Sequence, residues 1–494
     1  MFDTINSENN IFNPDNNFSN PSVETVNDFY GFDVNQDSNQ SAIYLAGTLG
    51  ADGFTVDTNY DVTVISGNGN VDFSTGLYDT INLSHISVDE VIDYSLAQAT
   101  EGGVAFDPGN GARMFDYIAL ADGTEVMFEG IDGIIFSDHF EDLSVSPDDF
   151  LFAEQWNLHI MGVQNAWRFN QGSDNVLIGV QDTGIGISAN GDFHPDIRQD
   201  ETWYFNGNNL GLNANLADNF LSEAGIYSQT QLTSHGTSVQ GIIAADSNNG
   251  LGIAGINWNS DVYHIDVLEN NPGDLSIAQA TQEMIDFADS NGQNLVINLS
   301  IQTSNTFGNL AGIHNEFAGV VADNPDVLFV VAAGNYGNEG LEGLSSPGVL
   351  AQEYDNVIAV GAAWGTNDRF GNQTTPGERI EYADWGSQYG DGLTVTAPSE
   401  VWTTDACSDG TFDYGSQFDG TSAAASNVTG VASLVWSANP DLTAAQVQVI
   451  LSETAYDTGV EGYDIYNGHG LINADAAVRK AIAMGNNNVA FTIV

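Results

Sequence analysis

A chain of 494 residues is long enough for two or three domains, and 42% hydrophobic residues with 26 Phe, 17 Tyr and 8 Trp make it a folding sequence, not an acidic coil. Its 67 Asp plus Glu against 7 Lys plus Arg give a formal net charge of −60, which excludes nucleic acid as the expected partner, since phosphate binding needs clustered bases, and favours cations and basic peptides. No run of ~20 apolar residues is available to span a bilayer, and Cys407, the single cysteine, excludes an intramolecular disulfide.

In chain order, residues 1–23 are Asn-rich and polar and read as a disordered tail. The start, Met1 to Glu8, lacks a basic n-region and an apolar h-region, so an ordinary Sec-type signal is not expected. Residues 24–143 read as a smaller β-rich domain. Asp61-Val62-Thr63-Val64-Ile65 runs into Ser66-Gly67-Asn68-Gly69-Asn70, and the segments Asp116–Ala121 and Thr124–Phe128 flank Asp122-Gly123, a strong hairpin signal. The glycine-rich piece Gly67 to Phe73 is faintly like a calcium-binding nonapeptide, but one imperfect copy cannot stack into a roll, and a turn is expected there. No basic processing site separates this domain from Asp149, so a retained accessory domain is expected, with a removable inhibitory propeptide as the alternative. A short polar junction, Leu143 to Pro147, leads into residues 148–494.

That larger part alternates strands and helices, the pattern of an α/β doubly wound parallel sheet with helices on both faces. Strands are expected at 176–181, 263–268, 295–300, 327–332 and 357–360. Ser276 caps a helix over 277–289, and Thr443-Ala444-Ala445-Gln446 is a capping box opening a helix through Leu451.

Four segments carry chemistry. The first strand ends in Asp182-Thr183-Gly184, at the sheet edge where open α/β folds place ligands. His235 heads a small-residue helix, His235-Gly236-Thr237-Ser238. Val330-Val331-Ala332-Ala333-Gly334 delivers Asn335 to the same edge. Gly420-Thr421-Ser422-Ala423 sets a serine at a helix start, where unpaired N–H groups and a partial positive charge would meet an oxyanion. Each piece alone has an ordinary alternative: a turn, a cap or a satisfied core polar residue. Together they supply an acid, a base, an amide donor and a nucleophile.

With these pieces the chain resembles the subtilisin-like serine proteases. The matching text is Asp182-Thr183-Gly184-Ile185, His194-Pro195-Asp196-Ile197, His235-Gly236-Thr237, Val296-Ile297-Asn298-Leu299-Ser300, Ala332-Ala333-Gly334-Asn335 and Gly420-Thr421-Ser422, within about residues 148 to 480. The resemblance implies attack by Ser422, proton transfer through His235, orientation by Asp182, and an oxyanion held by Asn335 and the Ser422 N–H. Two departures stand out. Ser426-Asn427 replace the usual proline and histidine of the serine helix, and Ile301-Gln302-Thr303 replace a glycine pair that shapes one wall of the substrate cleft. Residues 401–408 look more like the kexin and furin branch, although the cysteine-containing acidic segment of that branch is missing after Asn335; Glu339 and Glu342 stand there instead.

The resemblance also implies Ca²⁺, a hard cation taking about six to eight oxygens. The matching positions are Asp149, Asp196 and the Asn248-Asn249-Gly250 loop. The expected function is calcium-dependent serine endopeptidase action on protein or peptide substrates, with cleavage after Lys or Arg as one reading. A monomer acting outside the cell or at its envelope is expected. A catalytically silent calcium-binding adhesion protein and a peptide ligase or macrocyclase are the alternatives.

Overall fold

The computed structural model describes residues 22–24, 41–186, 192–198, 201–205, 210–211, 235–268, 275–302, 314–406 and 411–485. Cys407, most of the tail expected over 1–23, and the last nine residues lie outside them. Ser22–Glu24 forms a short strand on Ala42–Ala46.

The larger part is built on an eight-stranded sheet. Its spatial order is Leu210–Gly211, Thr202–Phe205, Asp261–Asp266, Val176–Asp182, Asn294–Leu299, Val327–Ala332, Val357–Ala363 and Val395–Pro398. Every pairing is parallel except the first. Val176–Asp182 and Val327–Ala332 are buried along their whole length, which is why they read as unbroken apolar runs and not as alternating ones. The expected strands at 263–268 and 295–300 form one or two residues earlier, at Asp261–Asp266 and Asn294–Leu299.

The chain passes from Val176–Asp182 to Asp261–Asp266 on one side and then to Asn294–Leu299 on the other. Asp182 therefore sits at the topological switch point, where neighbouring crossovers diverge and leave a crevice. Helices cover both faces over two apolar cores. The helix Ile277–Asn291 opens with the Ser276–Gln279 capping box and stops at Gly292, whose φ of +69° suits glycine. The helix Gly420–Ala438 is buried throughout its length apart from Ala438, as its small and apolar residues allow.

Residues 41–142 form two further sheets. One has the order Ser22–Glu24, Ala42–Ala46, Val62–Ser66, Glu125–Glu129, Arg113–Leu120, Val91–Ser95; the other runs Phe140–Asp142, Gly133–Phe136, Thr80–Leu83, Gly53–Thr55. The expected Asp122-Gly123 hairpin is present between Arg113–Leu120 and Glu125–Glu129. The sheets share a core containing Leu45, Phe54, Ile65, Leu83, Phe128 and Ile134.

This β-rich part does not merely adjoin the larger one. Leu49, Val71, Phe73, Ala97 and Met114 belong to the same apolar core as the serine helix and the helix Ala474–Gly485. The glycine-rich turn packs there too: the Asn70 N–H donates to the His159 carbonyl at 2.9 Å, and a Cβ on Gly69 would stand 1.7 Å from the Ile160 carbonyl oxygen. Beside this apolar contact lies a buried ionic network. Arg479, 1% exposed, donates to Asp475 (2.8 Å), to the Met114 carbonyl (2.8 Å) and to Asp116 (2.9 Å). Arg168 also pairs with Asp116 (3.1 Å), Arg113 with Glu129 (2.9 Å), and Lys480 donates to the Asn110 carbonyl (2.6 Å). Four of the seven cationic side chains of this very acidic chain, Arg113, Arg168, Arg479 and Lys480, thus stand at one junction.

Candidate active site

Each chemical residue is delivered by a different element to the C-terminal edge of the sheet. Asp182 ends its strand fully buried, and its Oδ1 accepts from the Thr183 N–H at 2.8 Å. His235 heads the helix His235–Ala244, and its Nδ1 lies 2.6 Å from Asp182 Oδ1. The flanking residues of both motifs knit these two segments together. Thr183 Oγ1 accepts from the Gly236 N–H (3.0 Å) and Thr237 Oγ1 from the Gly186 N–H (2.8 Å). A Cβ on Gly236 would meet the Gly184 carbonyl oxygen at 2.2 Å, so the close approach needs glycine.

Burial alone would depress the imidazole of His235. The Asp182 carboxylate, by charge and hydrogen bond, more than offsets that, and Asp419 adds to it, so the ring is held above its ordinary pKa. Phe418 meets the same ring edge-on, with centroids 5.3 Å apart. Asp419 is in turn held by Arg369 at 3.0 Å, and Arg369 by Asp384 at 2.8 Å.

Ser422 is 8% exposed in the first turn of its helix. Its hydroxyl donates to the Ser300 carbonyl at 3.1 Å, and no hydrogen bond joins it to His235 in this structure. Rotation about χ1 would redirect it, and such contacts are commonly made only once substrate is bound. Asn335 follows Gly334, whose φ is +111°. Its Oδ1 accepts from the Thr421 N–H (2.9 Å) and Thr421 Oγ1 (3.0 Å), so the amide nitrogen is the end left to face a ligand. The bare Cα of Gly420, φ +85°, lets that nitrogen approach: a Cβ there would stand 3.1 Å from it.

The hairpin of Val401–Ala406 and Phe412–Phe418 braces this constellation. Thr403 and Thr404 hydroxyls donate to the Ser238 and Thr237 carbonyls, and Ser238 Oγ donates to the Thr404 carbonyl, locking the strand to the histidine helix. Sequence reasoning assigned no chemistry to Phe418, Asp419, Ser300 or Gln302. Ser300 stood in the matching segment Val296 to Ser300 without a role, and Gln302 carried a signal as a departure from the usual glycines.

The four residues considered for calcium come together at the far end of the same hairpin. Asp149 Oδ2 accepts from the Asn248 N–H (2.7 Å) and Oδ1 from the Asn249 N–H (3.2 Å), while Asn249 Nδ2 donates to Asp196 Oδ1 (2.9 Å). Burial, with the charges of Asp196 and Asp148 added, pushes Asp149 up to about 6, and burial, with the charge of Asp246 added, raises Asp196 as well. Oxygen ligands and uncompensated negative charge suit a hard cation. Among the described residues no three His, Cys, Asp or Glu side chains converge on one metal position, so amide and main-chain oxygens would have to complete the shell.

Comparison with known proteins agrees with this geometry. The model of the Subtilase family, peptidase S8, matches residues 173–470, which contain all four residues of the constellation. An extracellular protease of Xanthomonas campestris pv. campestris is 32% identical over 364 residues, covering 69% of this chain and 58% of that protein. The M-protease of Shouchella clausii is 35% identical over 246 residues, 50% of this chain and 55% of that one. The chain thus spans little more than half the length of these relatives. A protease of Pseudoalteromonas arctica shares the fold, with a TM-score of 0.51 at 24% identity over 68% of this chain and 99% of that one. The chain belongs to the subtilase family.

Proposed function

We propose that the chain is a serine endopeptidase in which Ser422 forms an acyl-enzyme. The observation that carries this reading is the 2.6 Å contact from His235 Nδ1 to Asp182 Oδ1, at the sheet edge that also presents Ser422 and Asn335. Asp182 fixes the tautomer that leaves His235 Nε2 as base. The Ser422 hydroxyl, turned from the Ser300 carbonyl, gives its proton to Nε2 as Oγ attacks the scissile carbonyl. The oxyanion is met by Asn335 Nδ2 and the Ser422 N–H at the positive end of the serine helix. Nε2 then protonates the leaving amine, and water repeats the sequence to release the acid.

Calcium at Asp149, Asp196, Asn248 and Asn249 would neutralise the two raised acids and fix the loop that follows the histidine helix. It supplies no step of the chemistry. The acidic field draws basic peptides towards the site, whichever bond in them is cut. Glu339 and Glu342, the acids considered for a P1 contact, are exposed on the loop after Asn335, so we assign that field to recruitment and not to P1 recognition. Action outside the cell accords with relatives named as extracellular proteases, and among the described residues no helix is long and apolar enough to cross a membrane.

The test is labelling of Ser422 by a peptidyl phosphonate together with hydrolysis of a peptide amide, with Ser422→Ala as the blank. Labelling and a hydrolysed product are expected. No labelling would favour the catalytically silent reading, and a product joined to an added amine would favour the ligase.

A further inference from the structure

The crevice beside Ser422 is crossed by a side chain. Asn294–Leu299 and Val327–Ala332 are adjacent parallel strands, with Leu299 opposite Val331. Their continuations, Ser300–Gln302 and Ala333–Asn335, flank the gap next to the nucleophile. For a substrate carbonyl placed between Ser422 Oγ and Asn335 Nδ2, this gap is the recess open to its P1 side chain on the proposal made below. Gln302 reaches over it: Oε1 accepts from the Asn335 N–H at 3.0 Å, 33 residues along the chain.

The floor of the gap is equally specific. Gly334 has no side chain, and a Cβ on it would stand 2.0 Å from Ser345 Oγ and 3.2 Å from Gln302 Oε1. Ser345 is fully buried, and among the described residues its hydroxyl has no hydrogen-bond partner. The gap is thus barred above by the Gln302 amide and floored by a small polar group. A benzyl side chain would break the Gln302–Asn335 bond to enter. An arginine would do so as well and would meet a hydroxyl instead of a carboxylate.

We propose that Gln302 is a specificity-determining residue that limits P1 to small uncharged side chains such as Ala and Ser, with Ser345 as the polar floor. The inference rests on the protease reading above. Because the bar is a hydrogen bond to the backbone of Asn335, its loss opens the pocket while Asn335 Nδ2, oriented by Thr421, stays in place.

The test is kcat/KM on three peptide amides that differ only at P1, as Ala, Phe or Arg, for the parent, Gln302→Gly and Gln302→Asn, the last being one methylene too short to span the gap. The parent should prefer Ala at least about tenfold over Phe and Arg, in line with what pocket size alone discriminates. Both variants should raise the Phe-to-Ala ratio of kcat/KM about tenfold, whatever the loss of the bond costs on Ala. A parent that cleaves the Phe or Arg amide as fast as the Ala amide overturns the proposal, as does a Phe-to-Ala ratio that neither variant changes. Failure on all three amides by a parent that the phosphonate does not label overturns the protease reading itself, which separates the two failures.

Discussion

Replacing Arg479 by Met should reveal how firmly the β-rich part is built into the enzyme. Arg479 is 1% exposed, makes three hydrogen bonds and stacks on Phe169 at 4.6 Å. Met fills much of the same volume but leaves Asp475 with the Gly130 N–H (2.9 Å) and Asp116 with Arg168 (3.1 Å) and the Ala97 N–H (2.7 Å). Removing one partner from a buried ionic network typically costs about 3–5 kcal/mol. With an unfolding entropy of about 2.1 cal/mol/K per residue, a chain of this size loses about 1 °C of Tm per kcal/mol, so Tm should fall by roughly 3–5 °C. The readout is urea and thermal unfolding followed by circular dichroism, with Ser422→Ala as the common background to prevent self-digestion.

The pH dependence adds a sharper constraint. Burial alone would raise Asp116, but Arg479 and Arg168 more than offset it and hold it below the usual carboxylate range. Its contribution to stability is therefore present above the unfolded pKa, near 4, and lost as pH falls through the lower folded value. Without Arg479 the burial effect gains, the folded pKa rises, and the buried charge becomes a liability that protonation relieves. The gap between parent and variant should accordingly narrow as pH drops from 7 towards about 4. A loss under about 1 kcal/mol, or a gap that widens on acidification, would refute the reasoning.

Three further outcomes are expected. Asn335→Ala should lower kcat by about 10²–10³ with KM little changed, because the amide meets charge that exists only in the transition state; a KM effect of that size with kcat intact would contradict the assignment. His235 is held above its ordinary 6.5 by Asp182 and Asp419, and the base must be neutral, so the acid limb of kcat/KM should lie above 6.5. Asp419→Asn should move that limb to lower pH, and a shift upward would sink the account. Chelation should lower Tm and millimolar calcium restore it, with about 4 kcal/mol gained at a thousand times Kd, and Asp196→Asn should abolish the response. A parent indifferent to calcium would remove the cation from the picture.

The constellation was legible because its parts are local. Asp182, His235, Asn335 and Ser422 each sit at an element boundary whose chemistry is written within a few residues: a buried run ending in an acid, a histidine before small helix formers, a glycine allowing the turn. The same holds for the Ser276–Gln279 and Thr443–Gln446 capping boxes and for the Asp122-Gly123 turn. The junction of the two parts was not legible. Asp116 and Arg479 are 363 residues apart, and nothing in either neighbourhood marks the other as its partner. Residues 401–406, read from their letters as a branch resemblance, are a strand whose threonines brace the histidine helix, which only their contacts with Thr237 and Ser238 reveal. Gln302 was visible as an oddity, but its bond to Asn335 depends on two strands lying side by side.

The 363-residue separation also bears on how the protein is made. The β-rich part leaves the ribosome before the larger part, yet the helix that covers its face, Ala474–Gly485, follows only after the whole eight-stranded sheet. At about 5–20 residues per second the earlier surface waits roughly 20–70 s for its cover. During that interval Asp116 lacks Arg479, and the strand Arg113–Leu120, which carries Met114, lacks the helix that packs on it. A chain interrupted before residue 474 keeps all four residues of the constellation but cannot close this face, so stalled products should be sticky and short-lived.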